Sequence, residues 1–371
     1  MKRPLILFLV LSVASLAVAQ PQGPFVRPER FREMADRRSP EWLSSAEARA
    51  IADTVLAYQF PAGGWCKNQN WNLPPTDAVA RERASMRHHM VTDGIGTTID
   101  NGATTNEILF LTHVYAATSD ERYREGALRG VRWLLDIQYP NGGWPQFYPP
   151  RSDNADNVTH YSDFITFNDD AMVHVMRLLD DVAHRRAPYD ALRPSRSLRR
   201  QAKRSFRQGV KCILDCQIQR DGHGTVWCMQ HNQYTLAPEH ARAYELPSFN
   251  ASGETVGILK LLMDLPRPSR RVRTAVADAV DWLDSHATTD MALEHYRDST
   301  GRFDTRLVPS PGAPRLWARF YDLETEQPFF CDRDGIPRPH LEDIGYERRN
   351  GYSWLGKGPQ AILDRYEKRK K

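Results

Sequence analysis

The hydrophobic pattern along the chain predicts a mainly helical protein. Six stretches carry apolar residues three or four positions apart, a spacing that gathers them on one face of a helix. These stretches run from Ser44 or Ser45 to Tyr58, Ser119 to Gln138, Asp169 to Val182, Ser205 to Gln217, Glu254 to Met263 and Ser269 to His286. The C-terminal ILDRYEKRKK indicates one more helix with a solvated basic end. The alternation of apolar and polar residues that is typical of strands is sparse.

Three segments share one pattern: an apolar helix end, a Gln, a Gly-rich turn and a Trp. They are VLAYQFPAGGW, LLDIQYPNGGW and ILDCQIQRDGHGTVW, and they end at Trp65, Trp144 and Trp227. Their spacing accommodates two helices per unit. The repeat therefore predicts an α/α toroid, a three-hairpin (α/α)3 barrel with irregular active-site loops and minor β structure. The alternative is that Gly-Gly-Trp only ends helices, because Gly suits the position after a C-cap.

The N-terminal residues predict export. Lys2 and Arg3 precede an apolar run from Leu5 to Val18, and the small residues around Ala19 form a cleavage site, which is the layout of a secretory signal peptide. The run is shorter than the ~20 residues that a membrane-spanning helix needs. We expect a periplasmic or extracellular protein divided into a signal peptide at 1–19, an N-terminal leader at 20–43 and a single domain at 44–371.

Charge and cysteine content add little to this picture. The 371 residues include 50 Lys and Arg against 46 Asp and Glu, a net charge of +4. Such a balance does not indicate a nucleic-acid or membrane partner. The five cysteines cannot all pair with one another, so buried thiols are expected, with one or two disulfides as the alternative.

Two polar clusters stand at predicted helix starts. TTIDNGATTNEI contains Asp100 and Asn101, and ITFNDDAM contains Asn168, Asp169 and Asp170. Asp and Asn commonly cap helices, and capping alone explains any one of them. Together they supply more acids than caps require, and carboxylate and amide oxygens suit Ca²⁺ or Mg²⁺. Both interpretations stay open on the sequence alone.

Two further clusters place arginines among aromatic residues. HARAYELPS contains Arg242, and the segment from LWARFYDLE to CDRDG contains Arg319 and Arg333. Guanidinium groups bind carboxylates through two parallel hydrogen bonds, so these arginines could recognise a carboxylate ligand. Salt bridges with neighbouring Asp or Glu explain them equally well. Trp317 and Trp354 lie near this segment and are candidates for stacking on sugar rings.

Six motifs in this order resemble polysaccharide lyase family 10, the pectate lyases: TIDNGAT, GGWPQFYP, ITFNDDAM, ARAYELPS, RFYDLE…PFFCDRDG and RRNGYSWLG. The resemblance runs from about residue 45 to residue 356. It implies an exported, monomeric pectate lyase with an α/α toroid fold. Such an enzyme cleaves α-1,4-polygalacturonate by Ca²⁺-assisted anti β-elimination and releases 4,5-unsaturated oligogalacturonides.

The resemblance also implies roles for particular residues. Asp100 and Asp169 correspond to the Ca²⁺ ligands of the family, with the neighbouring Asp170 as the alternative to Asp169. Asn101 lies beside the first ligand and is assigned to substrate binding. Arg319 and Arg333 correspond to arginines that bind uronate carboxylates.

Arg242 corresponds to the proposed base of the family, which takes the proton from C5 of a uronate. Guanidinium groups normally stay protonated, with a pKa above ~12, whereas a base works best when its pKa lies near the operating pH. An arginine base is therefore expected to favour alkaline conditions.

Two other functions fit parts of the sequence. QYPNGGW resembles the repeat of triterpene cyclases, which also have helical toroids, but the signal peptide and the polar clusters argue against an apolar isoprenoid site. A non-catalytic galacturonan-binding protein of the same fold is the other alternative. It would bind oligogalacturonate without releasing an unsaturated product.

Overall fold

The computed structural model describes residue 31 and residues 39–67, 97–150 and 161–370. The predicted signal peptide lies outside the described residues, as does the leader apart from Phe31 and residues 39–43. Within the described residues, no helix is both long enough and apolar enough to cross a membrane.

Ten α-helices occur in the described part of the chain. They are α1 (Pro40–Leu43), α2 (Ala46–Tyr58), α3 (Thr105–Thr118), α4 (Glu121–Asp136), α5 (Ala171–His184), α6 (Arg196–Cys216), α7 (Glu254–Met263), α8 (Arg270–Ser285), α9 (Tyr346–Gly351) and α10 (Gly358–Lys370). Short 3₁₀ turns accompany them at Asp100–Gly102, Tyr161–Asp163, Asn168–Asp170, Tyr189–Leu192 and Leu341–Asp343. All six predicted helices and the C-terminal one are present, and α3 is the long helix that the six stretches did not include.

Side-chain caps explain where several helices begin. The Ser45 and Ser269 hydroxyls accept hydrogen bonds from backbone N–H groups three residues later, which confirms both as N-caps. Ser119, in contrast, adopts a left-handed conformation (φ 57°) and ends α3. Asp120 caps α4 in its place by accepting from the Arg122 N–H.

The predicted repeat is confirmed in the local structure. In each unit the Trp indole N–H donates to a carbonyl of the preceding helix: Trp65 to Val55, Trp144 to Leu134 and Trp227 to Ile213, all at 2.7 Å. In each unit the Gln side chain also joins its own turn to another helix, with Gln59 donating to Gly63 and Gly126, Gln138 to Gly142 and Ser205, and Gln217 to Thr225 and Ala275. These bonds satisfy buried polar groups that would otherwise destabilise the turns.

Trp317 makes a fourth contact of the same kind, because its indole N–H donates to the Leu283 carbonyl at 2.7 Å. Trp317 and Trp354 are both buried in the hydrophobic core. The prediction that these two tryptophans stack on sugar rings is therefore wrong.

Fourteen short strands form six small sheets in the described residues. They are β1 (Thr97–Thr98), β2 (Phe147–Tyr148), β3 (Ile165–Thr166), β4 (Gln219–Arg220), β5 (His223–Gly224), β6 (Gln230–His231), β7 (Phe249–Asn250), β8 (Met291–Arg297), β9 (Phe303–Pro309), β10 (Trp317–Ala318), β11 (Phe320–Tyr321), β12 (Pro328–Cys331), β13 (Pro337–Arg338) and β14 (Leu355–Gly356). All pairings are antiparallel. The four-stranded sheet has the order β13-β12-β11-β7. Strands β8 and β9, which have seven residues each, pair as a hairpin.

The predicted α/α toroid is wrong as a description of these residues, which form a mixed helical and stranded architecture. Helices α3 and α4 pack as one antiparallel hairpin and α5 and α6 as another, but α7 and α8 pack against each other much less extensively. Helix α10 packs on both of them. After α8 the chain continues mainly through strands, so the repeat does not extend over the C-terminal part, and β structure is more than minor.

The cysteines lie in the interior of the protein and are not paired in disulfides. All five are buried thiols, namely Cys66, Cys212, Cys216, Cys228 and Cys331. The expected buried thiols are therefore confirmed, and the alternative of one or two disulfides is not.

Candidate active site

The site is built on two backbone turns of the same shape. Asn101 (φ 54°) and Gly102 (φ 74°) are consecutive left-handed residues, and so are Asp169 (φ 49°) and Asp170 (φ 58°). Each turn follows a short strand, β1 or β3, and leads into the next helix. The left-handed region costs an L-residue roughly 1–2 kcal/mol, and Asn and Asp are among the residues that tolerate it best. The two predicted polar clusters thus adopt equivalent conformations.

The turns bring Asp100 and Asp169 together, as the family resemblance implied. The Asn168 amide Nδ2 lies 3.3 Å from Asp100 Oδ1 and 3.2 Å from Asp169 Oδ2, so one amide group bridges the two carboxylates. Asp100 is fully buried and also contacts the Lys67 ammonium group. A buried carboxylate requires such partners, because an unpaired charge in a core is costly.

The neighbouring Asp170 contacts a helix. Its carboxylate lies against Gly257 of α7, where an added Cβ would come within 1.8 Å of Asp170 Oδ1. Asp169 thus shares the Asn168 amide with Asp100, and the Asp170 carboxylate lies against α7.

Arg319, which lies between β10 and β11 in the chain, belongs to the same site. Its Nη2 lies 2.5 Å from Glu254 Oε1 and 3.8 Å from Asp169 Oδ1. The guanidinium also lies over the Tyr352 ring, 4.6 Å from the centroid. Glu254 in turn accepts the Asp169 backbone N–H at 3.2 Å, so α7 holds both the arginine and the turn.

The pKa of Asp169 reflects the negative charges that surround it. Burial, followed by the charges of Glu254 and Asp100, raises the pKa of Asp169 above its ordinary value. Arg319 and Arg242 lower it without cancelling the other effects. A cation between the carboxylates would relieve this repulsion.

Arg242 is held beside these carboxylates by its own loop. Its backbone N–H donates to Glu245 Oε2 at 3.1 Å, its Nη1 lies 3.6 Å from Glu245 Oε1, and its Nη1 donates to the Tyr244 hydroxyl at 3.0 Å. Burial of the guanidinium opposes its charge, but Glu245, Tyr244 and Asp100 outweigh that effect and raise the pKa of Arg242 above its usual range. Arg242 is therefore a cation in this state.

Arg333 occupies the outer edge of this group. Its side chain is exposed, pairs with Glu347 at 3.1 Å and lies 5.8 Å from the centroid of the Tyr244 ring. Arg348 lies over the same ring at 4.7 Å and shares Glu347. Arg333 thus neighbours Arg242 through Tyr244.

Asn101 is exposed at the tip of its turn, and its backbone N–H donates to Asp100 Oδ1 at 3.0 Å. A cleft of about 530 Å³ opens next to the other turn and is lined by Asp169, Arg319 and Tyr352, among others. The cleft therefore presents both an arginine and a carboxylate to a ligand.

The donor set fits a hard cation that keeps several other ligands. No group of three or more Asp, Glu, His or Cys side chains in the described ranges could hold a metal ion. Ca²⁺ takes six to eight oxygen ligands. Asp100 and Asp169 would therefore hold it together with oxygens from a substrate carboxylate and water.

Comparison with known proteins places the chain in a family. The family model described as pectic acid lyase matches residues 59–363. The chain belongs to this family. The lyase also resembles two solved structures of family 10 polysaccharide lyase from Cellvibrio cellulosa. One is a mutant in complex with trigalacturonic acid, 34% identical, covering 88% of this chain and 96% of that chain with a TM-score of 0.71.

The other Cellvibrio cellulosa structure is 33% identical and covers 92% of this chain and 95% of that chain, with a TM-score of 0.72. A search of the curated proteins found no match. The resemblance to polysaccharide lyase family 10 is thus confirmed, and the protein is a pectate lyase. Family membership decides against a terpene cyclase.

Sequence reasoning missed several residues of the lyase site. Glu254 was expected only as the start of a helix, and Glu245, Tyr352 and Lys67 were not singled out. Asn168 was noted but given no role. A comparison of the two turns could have indicated its role. Asn168 occupies the position of Asp100, and Asp169 occupies the position of Asn101.

Proposed function

We propose that this lyase is exported and cleaves α-1,4-polygalacturonate by Ca²⁺-assisted anti β-elimination, releasing 4,5-unsaturated oligogalacturonides. The observation that carries the proposal is the meeting of Asp100 and Asp169 with Arg242 and Arg319 at one site. A pectate chain presents a carboxylate on every sugar, and this arrangement offers it arginines and a cation site. The trigalacturonic acid in the similar Cellvibrio cellulosa complex supports this substrate.

Each residue has a defined task in the proposed reaction. Arg319 binds the uronate carboxylate, with Arg333 further out and Asn101 at the exposed turn. Asp100 and Asp169 would hold Ca²⁺, which when bound stabilises the negative charge that develops as the C5 proton leaves. Arg242 accepts that proton, the C4–C5 double bond forms, and the C4–O bond breaks. The departing oxygen takes a proton from solvent.

Arg242 must lose a proton before it can act as the base. In the free protein, Glu245 and Asp100 favour its protonated form. A second positive charge near Asp100 and a cationic Arg319 would both oppose that form. Cation binding therefore works toward the neutral guanidine that the elimination needs, and high pH works in the same direction.

A direct assay tests the proposal. We expect the purified protein to generate ultraviolet absorbance from polygalacturonate with Ca²⁺ at neutral to alkaline pH, because elimination creates a double bond conjugated to a carboxylate. A chelator should abolish the signal, and added Ca²⁺ should restore it. A folded protein that gives no such product, or gives only saturated fragments, would overturn the proposed reaction.

The pH dependence of kcat tests whether Glu245 raises the pKa of Arg242. Replacing Glu245 by Gln keeps the size and the acceptor for the Arg242 N–H but removes a charge that raises the pKa of Arg242. Removal of that charge lowers the pKa of Arg242, so the neutral form is reached at lower pH. We expect the alkaline rise of kcat to move to lower pH in Glu245→Gln.

Glu367→Gln is the matched control, since Glu367 lies in the C-terminal helix and pairs with Lys370 at 2.9 Å. It should leave the pH profile of kcat where it is in the wild type. An unchanged or alkaline-shifted profile in Glu245→Gln, with a normal unfolding temperature, would contradict the assigned role.

A further inference from the structure

The β8–β9 hairpin has one face that continues the wall of the active-site cleft. In its antiparallel register, Leu293 pairs with Leu307, His295 with Thr305, and Arg297 with Phe303. Because side chains alternate between the faces of a strand, these three pairs lie on one face of the hairpin. The intervening pairs, including Glu294 with Arg306 and Tyr296 with Asp304, lie on the other.

The cleft shows which way this face points. Asp169 and Arg319 line the cleft together with Leu293, His295 and Thr305. The first two pairs of the face therefore border the same space as the catalytic groups. The Arg297–Phe303 pair is the next step along that face, roughly 7 Å beyond His295 at ~3.3 Å per strand residue.

Arg297 and Phe303 form an exposed unit of charge and aromatic surface. The Arg297 guanidinium lies 3.9 Å from the centroid of the Phe303 ring, and Phe303 is 60% exposed. Arg297 Nη1 donates to the Gly301 carbonyl at 2.6 Å. The pair thus presents a positive charge and an apolar ring side by side at the surface.

Arg297 differs from the other arginines of the hairpin in its charge environment. Arg306 lies 2.6 Å from Glu294, and Arg302 lies 3.6 Å from Asp298. Within the described part of the chain, no carboxylate lies within ion-pair distance of Arg297. Its positive charge is thus not neutralised locally and is available to an anion that passes along this face.

We propose that Arg297 and Phe303 form a distal subsite that binds a galacturonate unit of the pectate chain outside the catalytic centre. The guanidinium would bind the uronate carboxylate, and the exposed ring would pack against the apolar face of the sugar. The inference rests on the proposed function, because it needs a polygalacturonate chain lying in the cleft. It predicts a preference for long chains over short ones.

Kinetics over a series of chain lengths tests the subsite. In Arg297→Ala and in Phe303→Ala, KM for long polygalacturonate should rise about five- to tenfold, with kcat nearly unchanged, since one charged contact or one stacked ring is lost. KM for trigalacturonate should stay within twofold of wild type, because a trimer bound at the catalytic centre does not depend on the distal contact. The increase for Arg297→Ala should shrink at high ionic strength.

Arg306→Ala is the matched control. Arg306 also lies over an aromatic ring, that of Tyr296 at 4.6 Å, but on the opposite face of the same hairpin. It should leave KM unchanged for every chain length. The subsite is overturned if Arg306→Ala raises KM as much as Arg297→Ala, or if KM for the trimer and for the polymer rise together.

Two measurements keep this test separate from the proposed reaction. Thermal unfolding of each variant shows whether the hairpin is intact, and Phe303→Leu replaces Phe303→Ala if the latter is unstable. Calorimetric binding of polygalacturonate to wild type and to Arg297→Ala needs no turnover. If the wild type releases no unsaturated product, weaker binding by Arg297→Ala alone still supports the subsite, and equal binding by both proteins overturns it.

Discussion

Replacement of Arg242 by Ala should lower kcat on polygalacturonate by about 10³-fold, within the 10²–10⁴ range that a positioned base contributes. Arg242 interacts electrostatically with Asp100 and Asp169, and its side chain contacts Tyr244 and Glu245. Arg319 stays in place and still binds the substrate carboxylate. Binding of oligogalacturonate, measured by calorimetry, should therefore remain within a few-fold of wild type.

A surface ion pair supplies the control for this variant. Arg177 pairs with Asp264 at 2.9 Å, and Asp264 follows the C-terminal end of α7, roughly 15 Å along the helix from Glu254. Arg177→Ala should keep wild-type kcat. Retention of more than a tenth of wild-type kcat by Arg242→Ala would show that the base is another group.

Replacement of Asp100 by Asn should reduce activity about 10²-fold at low Ca²⁺, and high Ca²⁺ should restore part of it. The substitution keeps the shape of the side chain but removes one of two carboxylates around the Asn168 amide, and the affinity of a Ca²⁺ site depends on the charge of its ligands. Activity measured in a Ca²⁺ titration after chelation gives the shift in the half-saturating concentration.

The same titration separates the two neighbouring acids. Asp169→Asn should shift the Ca²⁺ dependence as Asp100→Asn does, because both carboxylates contact Asn168. Asp170→Asn should act mainly on the unfolding temperature, since Asp170 packs against Gly257. Asp264→Asn is the control acid outside the site. A Ca²⁺ dependence that shifts only in Asp170→Asn would reverse the ligand assignment.

The sequence predicted local features far better than it predicted architecture. Caps such as Ser45 and Ser269 act through residues three positions away, so local rules suffice for them. The proximity of Asp100 and Asp169 was implied by the family motifs. The closed toroid was an extrapolation of that repeat, and the strands after α8 do not follow it.

Other parts of the site could not be predicted, because they depend on contacts between distant segments. Glu254 and Arg319 are 65 residues apart, and nothing around either residue indicates their ion pair. Glu245 and Tyr352 are 107 residues apart and share a hydrogen bond. Trp317 was misassigned for the opposite reason: its neighbours in sequence belong to the site, but its ring belongs to the core.

The buried thiols have a consequence for where and how this enzyme can be made and kept. Its fold does not depend on an oxidant, so a reducing cytoplasm should yield the same folded chain as an oxidising compartment. Burial raises the pKa of the Cys331 thiol to about 11. Since the thiolate is the form that oxidants attack, this cysteine should react with oxidants more slowly than an exposed thiol at neutral pH.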